Sequence, residues 1–165
     1  MPWRSHSGHL PRTLQTIAVT QMPDASPVLR VLVIDDSVDN AAALCLLLAV
    51  MGCLTAVAAG GPQGIAAAAE FDPHLVFVDF EMPGMGGCDV ARHFRAKHPT
   101  GTARLVCLTG RNESDDRRTC LDAGFDDFFT KPMTSASLAS ILAASSAGLI
   151  EARGSRAPGD GLAVP

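Results

Sequence analysis

The chain has 165 residues, of which 47% are apolar and 18% are charged, and its formal net charge is −4. This length and composition predict one globular domain with its own core and exclude a disordered chain. The acidic balance, with no dense run of Lys or Arg, argues against a nucleic-acid-binding surface. The five cysteines are scattered without a C-x-x-C pair, which suits reduced cytoplasmic thiols better than a disulfide framework or a zinc site.

Both ends of the chain differ in composition from its middle. Residues 1–27 mix Pro, Ser, His and Arg with little periodicity, and the last residues are rich in Gly, Pro and Arg. We expect residues 1–27 and 149–165 to be flexible tails around one folded domain at residues 28–148. Residues 1–27 contain no apolar stretch long enough for a secretory signal.

Strand-like and helix-like patterns alternate five times between the tails. Strands are predicted at Leu29–Asp35, Cys53–Ala58, His74–Asp79, Arg104–Thr109 and Asp127–Thr130. Helices are predicted at Val38–Met51, Pro62–Glu70, Gly87–Lys97, Ser114–Ala123 and Ser135–Ala147. Three strands carry near-continuous apolar runs (VLVI, LVFV, LVCL), as parallel strands covered on both faces do. The alternation predicts an α/β fold, a doubly wound (βα)5 sheet of five parallel strands in the flavodoxin-like order 2-1-3-4-5.

The uncharged run from Ala41 to Ala59 has two interpretations, because its length could just span a bilayer. Gly52 divides the run into unlike halves. Before it, leucines recur at helical spacing, and after it a short apolar run is typical of a buried strand. A helix, a turn and a strand of a cytoplasmic protein are therefore favoured over a membrane span.

Polar side chains stand at the carboxyl ends of four predicted strands. The first strand ends in Asp35 and Asp36, the third in Asp79, the fourth in Thr109, and the fifth leads into Lys131 and Pro132. Doubly wound sheets bind their ligands at this edge. Three clustered carboxylates repel one another unless a cation lies between them, and hard oxygen ligands at an open site favour Mg²⁺. The cation and the Lys131 ammonium could then hold a phosphoryl group.

Each of these signals has a structural alternative. An Asp-Asp pair after a strand is often a helix cap, and a lone Asp can simply close a strand. Lys131 before a proline can be ordinary loop sequence, and Thr109 can be a β-branched strand residue. Their joint placement at four strand ends is much harder to produce by chance.

Four stretches, in this order, resemble the response-regulator receiver domains of two-component phosphorelays: VLVIDDSVDN, LVFVDFEMPGMGG, LVCLTG and AGFDDFFTKPM. The resemblance covers about residues 28–147, and similar fragments are common in receivers fused to hybrid histidine kinases. It implies a signalling switch and not a conventional enzyme, since such a domain catalyses only its own phosphorylation and dephosphorylation.

The resemblance also implies a role for each site residue. Asp79 would be the phosphoacceptor that attacks a phosphohistidine. Asp36 and Asp79 would bind Mg²⁺ directly, Asp35 would bind it through a water, and the backbone carbonyl of Glu81 would complete the protein ligands. Lys131 would pair with the phosphoryl oxygens, and its bond to the following proline would be cis.

The implied switch uses two further residues. Thr109 would move toward the phosphoryl group, and the aromatic ring of Phe128 would turn inward. Most relatives have Tyr at the position of Phe128, and a static ring is the structural alternative. We also hypothesise an ion pair between Glu81 and Arg111 that partly covers the site and slows loss of the phosphoryl group.

The implied partners are a histidine kinase or histidine phosphotransfer protein and a downstream protein target, with a possible phosphorylation-linked homodimer. Because few residues follow Ala147, we expect a stand-alone receiver that acts through protein contacts or onward phosphotransfer, without nucleic acid or membrane. The main alternative is a pseudo-receiver, an interaction module without the chemistry. A flavodoxin-like cofactor binder is disfavoured because Asp35 and Asp36 would repel a phosphate at the first loop. An aspartyl phosphatase is disfavoured because it would carry its nucleophile after the first strand with a nearby Asp-x-Asp arrangement, and no such arrangement is seen here.

Overall fold

A computed structural model describes residues 28–97, 103–110 and 114–154 of the chain. The strands are β1 (Arg30–Ile34), β2 (Leu54–Ala58), β3 (Leu75–Asp79), β4 (Arg104–Thr109) and β5 (Asp127–Thr130). The helices are α1 (Val38–Val50), α2 (Gly61–Phe71), α3 (Gly87–Lys97), α4 (Ser114–Ala123) and α5 (Ser135–Gly154). Every predicted element is present, and apart from the end of α5 no boundary differs by more than one residue.

All five strands are parallel and form one sheet in the order β2-β1-β3-β4-β5. The predicted doubly wound α/β fold is therefore confirmed. The chain reverses its direction of winding between β1 and β3, and the carboxyl ends of these two neighbours border the crevice at which such sheets bind ligands. This topology alone places Asp79 beside the residues that follow β1.

The sheet is covered on both faces, because successive side chains of a strand point to opposite sides. Alternate residues of β1, β3 and β4, such as Leu32, Val76 and Leu105, join one buried cluster with α2, α3 and α4. The residues between them, such as Val33 and Phe77, join a second cluster with α1 and α5. Each fully buried large apolar side chain stabilises the fold by about 1.5–3 kcal/mol, and both clusters hold the strand ends in place.

The end of α5 differs from the prediction. The helix continues to Gly154, past its predicted end at Ala147 and into the segment assigned to the C-terminal tail. Gly148 directly follows the predicted end, and glycine commonly follows a helix end. The helix passes through it, and Leu149 packs against the second buried cluster on the far side. The rest of that tail and residues 1–27 lie outside the described residues.

The uncharged run folds as a helix, a turn and a strand. It supplies most of α1, a turn at Gly52 with φ of +88°, and β2. Positive φ costs glycine little, which lets the chain turn directly from α1 into β2. Within the described ranges, no helix is both long and apolar enough to cross a bilayer.

Candidate phosphoryl and metal site

Three carboxylates converge at the carboxyl edge of the sheet. Asp35 and Asp36 directly follow β1, and Asp79 is the last residue of β3. One carboxylate oxygen from each lies within 4.8 Å of the others. Asp35 is 4% and Asp79 8% exposed, whereas Asp36 lies on the surface. The predicted cluster is therefore present, with two of its carboxylates buried.

Backbone contacts hold the Asp35 side chain in the cluster. The Asp35 N–H donates to the carbonyl of Ala58 at 3.1 Å, which extends the pairing of β1 with β2 by one residue. Asp35 Oδ1 accepts the backbone N–H of Ser37 at 2.8 Å. The Ser37 side chain in turn caps α1 by accepting the N–H of Asn40 at 3.4 Å. The start of α1 thus fixes the orientation of a buried carboxylate.

Lys131 bridges the two buried carboxylates. Its Nζ lies 2.7 Å from Asp35 Oδ2 and 3.1 Å from Asp79 Oδ1. The residue follows β5, and its backbone N–H donates to the carbonyl of Thr109 at 2.7 Å. The Lys131–Pro132 peptide bond is cis, as the resemblance implied. The pairing of β5 with β4 therefore places the Lys131 ammonium beside the carboxylates of Asp35 and Asp79.

Burial and charge shift the pKa values of this pair. Burial raises the pKa of Asp79 above its usual value and the neighbouring Asp35 adds to the rise, while hydrogen bonds from Lys131 and the Glu81 backbone N–H lower it without cancelling it. Burial by itself would lower the pKa of Lys131, but its hydrogen bonds to Asp35 and Asp79 outweigh that effect and raise it. Lys131 is therefore a cation at neutral pH, and it faces more negative charge than it can balance.

Thr109 and Phe128 lie on the same face of the sheet. Thr109, the last residue of β4, is fully buried. Cys107 pairs with Phe128 and Thr109 pairs with Thr130 across β4 and β5. Alternation then puts the Phe128 ring on the side that carries Thr109, where it is partly buried against the first cluster. The structure places the two residues of the predicted switch on one face of the sheet, and their movement stays a prediction.

Glu81 lies in the exposed loop that follows β3. Its backbone N–H donates a hydrogen bond to the Asp79 carboxylate, so the segment after Asp79 turns back toward the site. Arg111 lies outside the described residues, and the hypothesised Glu81–Arg111 ion pair stays a prediction.

Gly87 is a residue of the site that the sequence did not reveal. Its N–H donates to the carbonyl of Phe80 at 3.0 Å, and a Cβ at this position would stand 2.5 Å from the carbonyl oxygen of Asp79. The first turn of α3 therefore lies directly against the backbone of the strand that carries Asp79. The only signal in the sequence is the Gly86-Gly87 pair, which by itself suggests just a flexible turn.

The arrangement fits a hard divalent cation. The donors are carboxylate oxygens from two neighbouring strand ends, one of them on the surface, as suits the partly hydrated sites that Mg²⁺ prefers. A cation there would compensate the charge that Lys131 leaves unbalanced. The same edge carries a buried carboxylate, an ammonium and a hydroxyl, which are groups that could accept and hold a phosphoryl group.

The sequence model of the family described as "Response regulator receiver domain" matches residues 31–143. Among curated proteins, the DNA-binding response regulator MtrA of Mycobacterium tuberculosis is 38% identical over 103 residues, which cover 62% of this chain and 44% of that protein. The transcriptional regulatory protein KdpE of the same species is 40% identical over 102 residues, with the same shares covered. The chain thus matches less than half the length of these relatives.

Solved structures share the fold. The chemotaxis protein CheY4 of Vibrio cholerae superposes with a TM-score of 0.67 at 21% identity, over 72% of this chain and 99% of that one. The receiver domain of Ssk1 from Saccharomyces cerevisiae, crystallised with the histidine phosphotransfer protein Ypd1, belongs to a structure that matches with a TM-score of 0.67 at 25% identity. That match covers 75% of this chain and 92% of the other.

Proposed function

This chain belongs to the response-regulator receiver domain family, and we propose that it is a phosphorylation-dependent signalling switch whose phosphoacceptor is Asp79. The observation that carries the proposal is the position of the Asp79 carboxylate. It is buried, lies 3.1 Å from the Lys131 ammonium, and shares its site with the carboxylates of Asp35 and Asp36.

The proposed chemistry is transfer from a phosphohistidine. An oxygen of the Asp79 carboxylate attacks the phosphorus, the bond from phosphorus to the histidine nitrogen breaks, and an acyl phosphate forms on Asp79. Lys131, held beside the attacking carboxylate at 3.1 Å, pairs with the phosphoryl oxygens as they arrive. Thr109 donates a hydrogen bond from its hydroxyl group to one of them. Positioning and charge neutralisation supply most of the catalysis in such a transfer.

The same residues would hold the magnesium ion of the family. Asp36 and Asp79 would bind it directly, Asp35 through a water, and the backbone carbonyl of Glu81 would complete the protein ligands. When bound, Mg²⁺ supplies positive charge to the transferred phosphoryl group. The contribution of this chain is a pair of buried carboxylates, both already oriented by hydrogen bonds.

We assign the donor to a histidine kinase or a histidine phosphotransfer protein, and the structure of Ypd1 with the receiver of Ssk1 supports this partner class. The output we propose is a change in protein contacts, through Thr109 and Phe128, or onward phosphotransfer. Homodimerisation linked to phosphorylation and a cytoplasmic location belong to the same proposal. A receiver is a signalling protein, and the only catalysis we propose for it is its own phosphorylation and dephosphorylation.

The proposal is tested by intact-mass measurement after incubation with acetyl phosphate or with a phosphorylated histidine phosphotransfer protein, each with Mg²⁺. We expect one phosphoryl adduct that hydroxylamine removes and that disappears in Asp79→Ala or when Mg²⁺ is chelated. Asp89→Ala is the matched control, because it removes an exposed carboxylate of α3 that pairs only with Arg92 of the same helix in the part of the chain that the structure describes. Wild-type protein that takes no phosphoryl group from either donor would instead be a pseudo-receiver.

A further inference from the structure

Three of the five cysteines lie together beside the site. Cys107 is on β4 and Cys120 on α4, both fully buried, with their sulfur atoms 3.0 Å apart. Cys88, at the start of α3, is partly exposed. Burial, and after it the Cys120 thiol, raises the pKa of Cys88, so the thiols of Cys88 and Cys120 are also neighbours. All five cysteines are thiols in the structure, and the phosphoryl chemistry uses none of them.

The Cys107–Cys120 contact lies under the proposed switch. Cys107 precedes Thr109 by two residues on β4, so their side chains share a face of the sheet. Cys107 also pairs with Phe128 of β5. The hydrogen bond with Cys120 and burial raise the pKa of the Cys107 thiol, and the charge of Asp79 adds a smaller contribution. A covalent bond at this contact would join α4 to the strand that ends in Thr109.

We propose that Cys107 and Cys120 are an oxidation site that forms a disulfide in the presence of a hydroperoxide and thereby fixes α4 to β4. The two sulfur atoms need to approach by about 1 Å to reach a disulfide bond length of about 2.05 Å. With hydrogen peroxide the reaction is balanced: the two thiols give up two hydrogens and two electrons, and the peroxide is reduced to two waters.

Cys88 provides the route by which an oxidant reaches two buried thiols. The Cys88 sulfur attacks the peroxide and becomes a sulfenic acid, with release of water. The Cys120 sulfur attacks this sulfenic acid, which releases a second water and forms a Cys88–Cys120 disulfide. The Cys107 sulfur then attacks Cys120, and the displaced Cys88 sulfur takes up the proton that Cys107 loses.

The environment makes this oxidation slow. Burial, with a contribution from Cys120, raises the pKa of the Cys88 thiol to about 11, so little of the reactive thiolate is present at neutral pH. The site therefore responds to sustained oxidant and not to a brief pulse. The short distance between the Cys107 and Cys120 sulfur atoms determines which two thiols form the disulfide. The protonation state of Cys88 limits the rate of the oxidation.

The test is a tryptic map of the full chain after treatment with hydrogen peroxide and blocking of the remaining thiols in denaturant. Trypsin leaves Cys45, Cys53 and Cys88 together on the peptide that begins at Val31, and it separates the peptide that begins at Leu105 from the one that begins at Thr119. We expect the last two peptides to be joined. Absence of this product, or an equal yield from protein oxidised in denaturant, would overturn the proposal.

Three variants sharpen the map. The double variant Cys45→Ala/Cys53→Ala leaves the cluster intact and is expected to form the same product at the same rate. Cys88→Ala is expected to form it several-fold more slowly, because the accessible thiol is gone. Should Cys107→Ala fail to fold, the map of the wild-type protein still decides whether the disulfide forms.

The consequence for signalling rests on the proposed function and is measured separately. We expect the oxidised chain to take up the phosphoryl group from acetyl phosphate at least about fivefold more slowly, a coupling of ordinary size, and dithiothreitol to restore the rate. Equal rates with the disulfide in place would overturn the regulatory role. Failure of reduced and oxidised protein alike to be phosphorylated would count against the proposed function and leave the mapped disulfide standing.

Discussion

The two edges of the sheet carry charge in different ways. At the amino edge, the described residues include three aspartates that are each paired with an arginine, in the ion pairs Arg30–Asp72 at 2.8 Å, Arg95–Asp126 at 2.5 Å and Arg104–Asp127 at 2.6 Å. At the carboxyl edge, one ammonium, that of Lys131, faces the buried carboxylates of two aspartates, and a third carboxylate lies beside them.

This comparison distinguishes two kinds of charged residue. Those at the amino edge stabilise the fold, and we propose that those at the carboxyl edge serve the function. Matched pairs near the surface each stabilise a protein by about 0–1 kcal/mol and leave no charge uncompensated. An excess of buried negative charge destabilises the fold unless a further cation arrives. The carboxyl edge keeps such an excess, which supports the proposal that a cation and a phosphoryl group bind there.

The largest effect is expected when Lys131 is removed. Lys131→Ala leaves Asp35 and Asp79 without the ammonium that contacts both, and we expect the free energy of unfolding to fall by about 2 kcal/mol, somewhat less than for a fully buried pair. Urea unfolding measures this change, and saturating Mg²⁺ should recover part of it. Lys97→Ala, an exposed change on α3, is the control. Equal stability of Lys131→Ala and wild type would show that the carboxyl edge is not under electrostatic strain.

A smaller effect is expected at the exposed member of the carboxylate cluster. Asp36→Asn removes one formal charge and one direct Mg²⁺ ligand of the proposed site, and we expect the Mg²⁺ dissociation constant to rise about tenfold, or 1.4 kcal/mol. Without Mg²⁺, the stability should change by no more than about 0.5 kcal/mol, as for other surface positions. Isothermal titration calorimetry measures the affinity, with Asp39→Asn in the first turn of α1 as the comparison. Identical affinities for the two variants would remove Asp36 from the metal site.

The amino edge should respond weakly and without loss of function. A double-mutant cycle with Arg104→Ala and Asp127→Ala is expected to give a coupling of about 0.5–1 kcal/mol, because both side chains are only partly buried. Phosphorylation of each variant by acetyl phosphate should match the wild type. A large loss of phosphorylation with an intact fold would mean that the two edges are not independent.

The smallest effect concerns pH at the amino edge. His74 Nδ1 accepts the backbone N–H of Arg30 at 3.1 Å, which requires an unprotonated nitrogen. Burial and then the nearby Arg30 charge lower the pKa of His74, although Asp72 partly opposes them. Because the pKa is lower in the folded state, the unfolded chain binds the proton first, and stability is lost as the pH falls below about 6.5.

Urea unfolding between about pH 7.5 and pH 5 measures this loss. The loss should be smaller in His74→Gln than in wild type and unchanged in His93→Gln, which alters an exposed residue of α3. An identical pH dependence in all three proteins would exclude His74 as a contributor.

The sequence predicted the carboxyl edge well because the residues there follow apolar strands whose ends are easy to locate. Once β1 and β3 are neighbours, Asp35 and Asp79 have to meet, and the pairing of β4 with β5 brings Lys131 to them. Contacts that depend on the rotation of a helix were not predicted. The 3.0 Å approach of Cys107 and Cys120 joins a strand to a helix whose facing residues the sequence pattern does not specify.

Two other features of the structure were not predicted from the sequence, because each depends on packing between elements. Gly148 resembles a helix stop, yet α5 continues because Leu149 still finds apolar surface to cover, so tertiary packing outweighed the local signal. The Phe128 side chain is half-buried. Its exposure depends on how closely α4 covers the sheet, and the hydrophobic periodicity of the sequence does not specify that distance.

The contact between Gly87 and the Asp79 carbonyl has a consequence for sequence variation. At 2.5 Å from that oxygen, a methyl group cannot be accommodated unless α3 moves away from β3. Position 87 should therefore tolerate no other residue in a saturation library selected for signalling, although glycine brings no chemical group to the reaction. Such a library would show a strict requirement for glycine at position 87, and the reason would be the lack of space for any side chain.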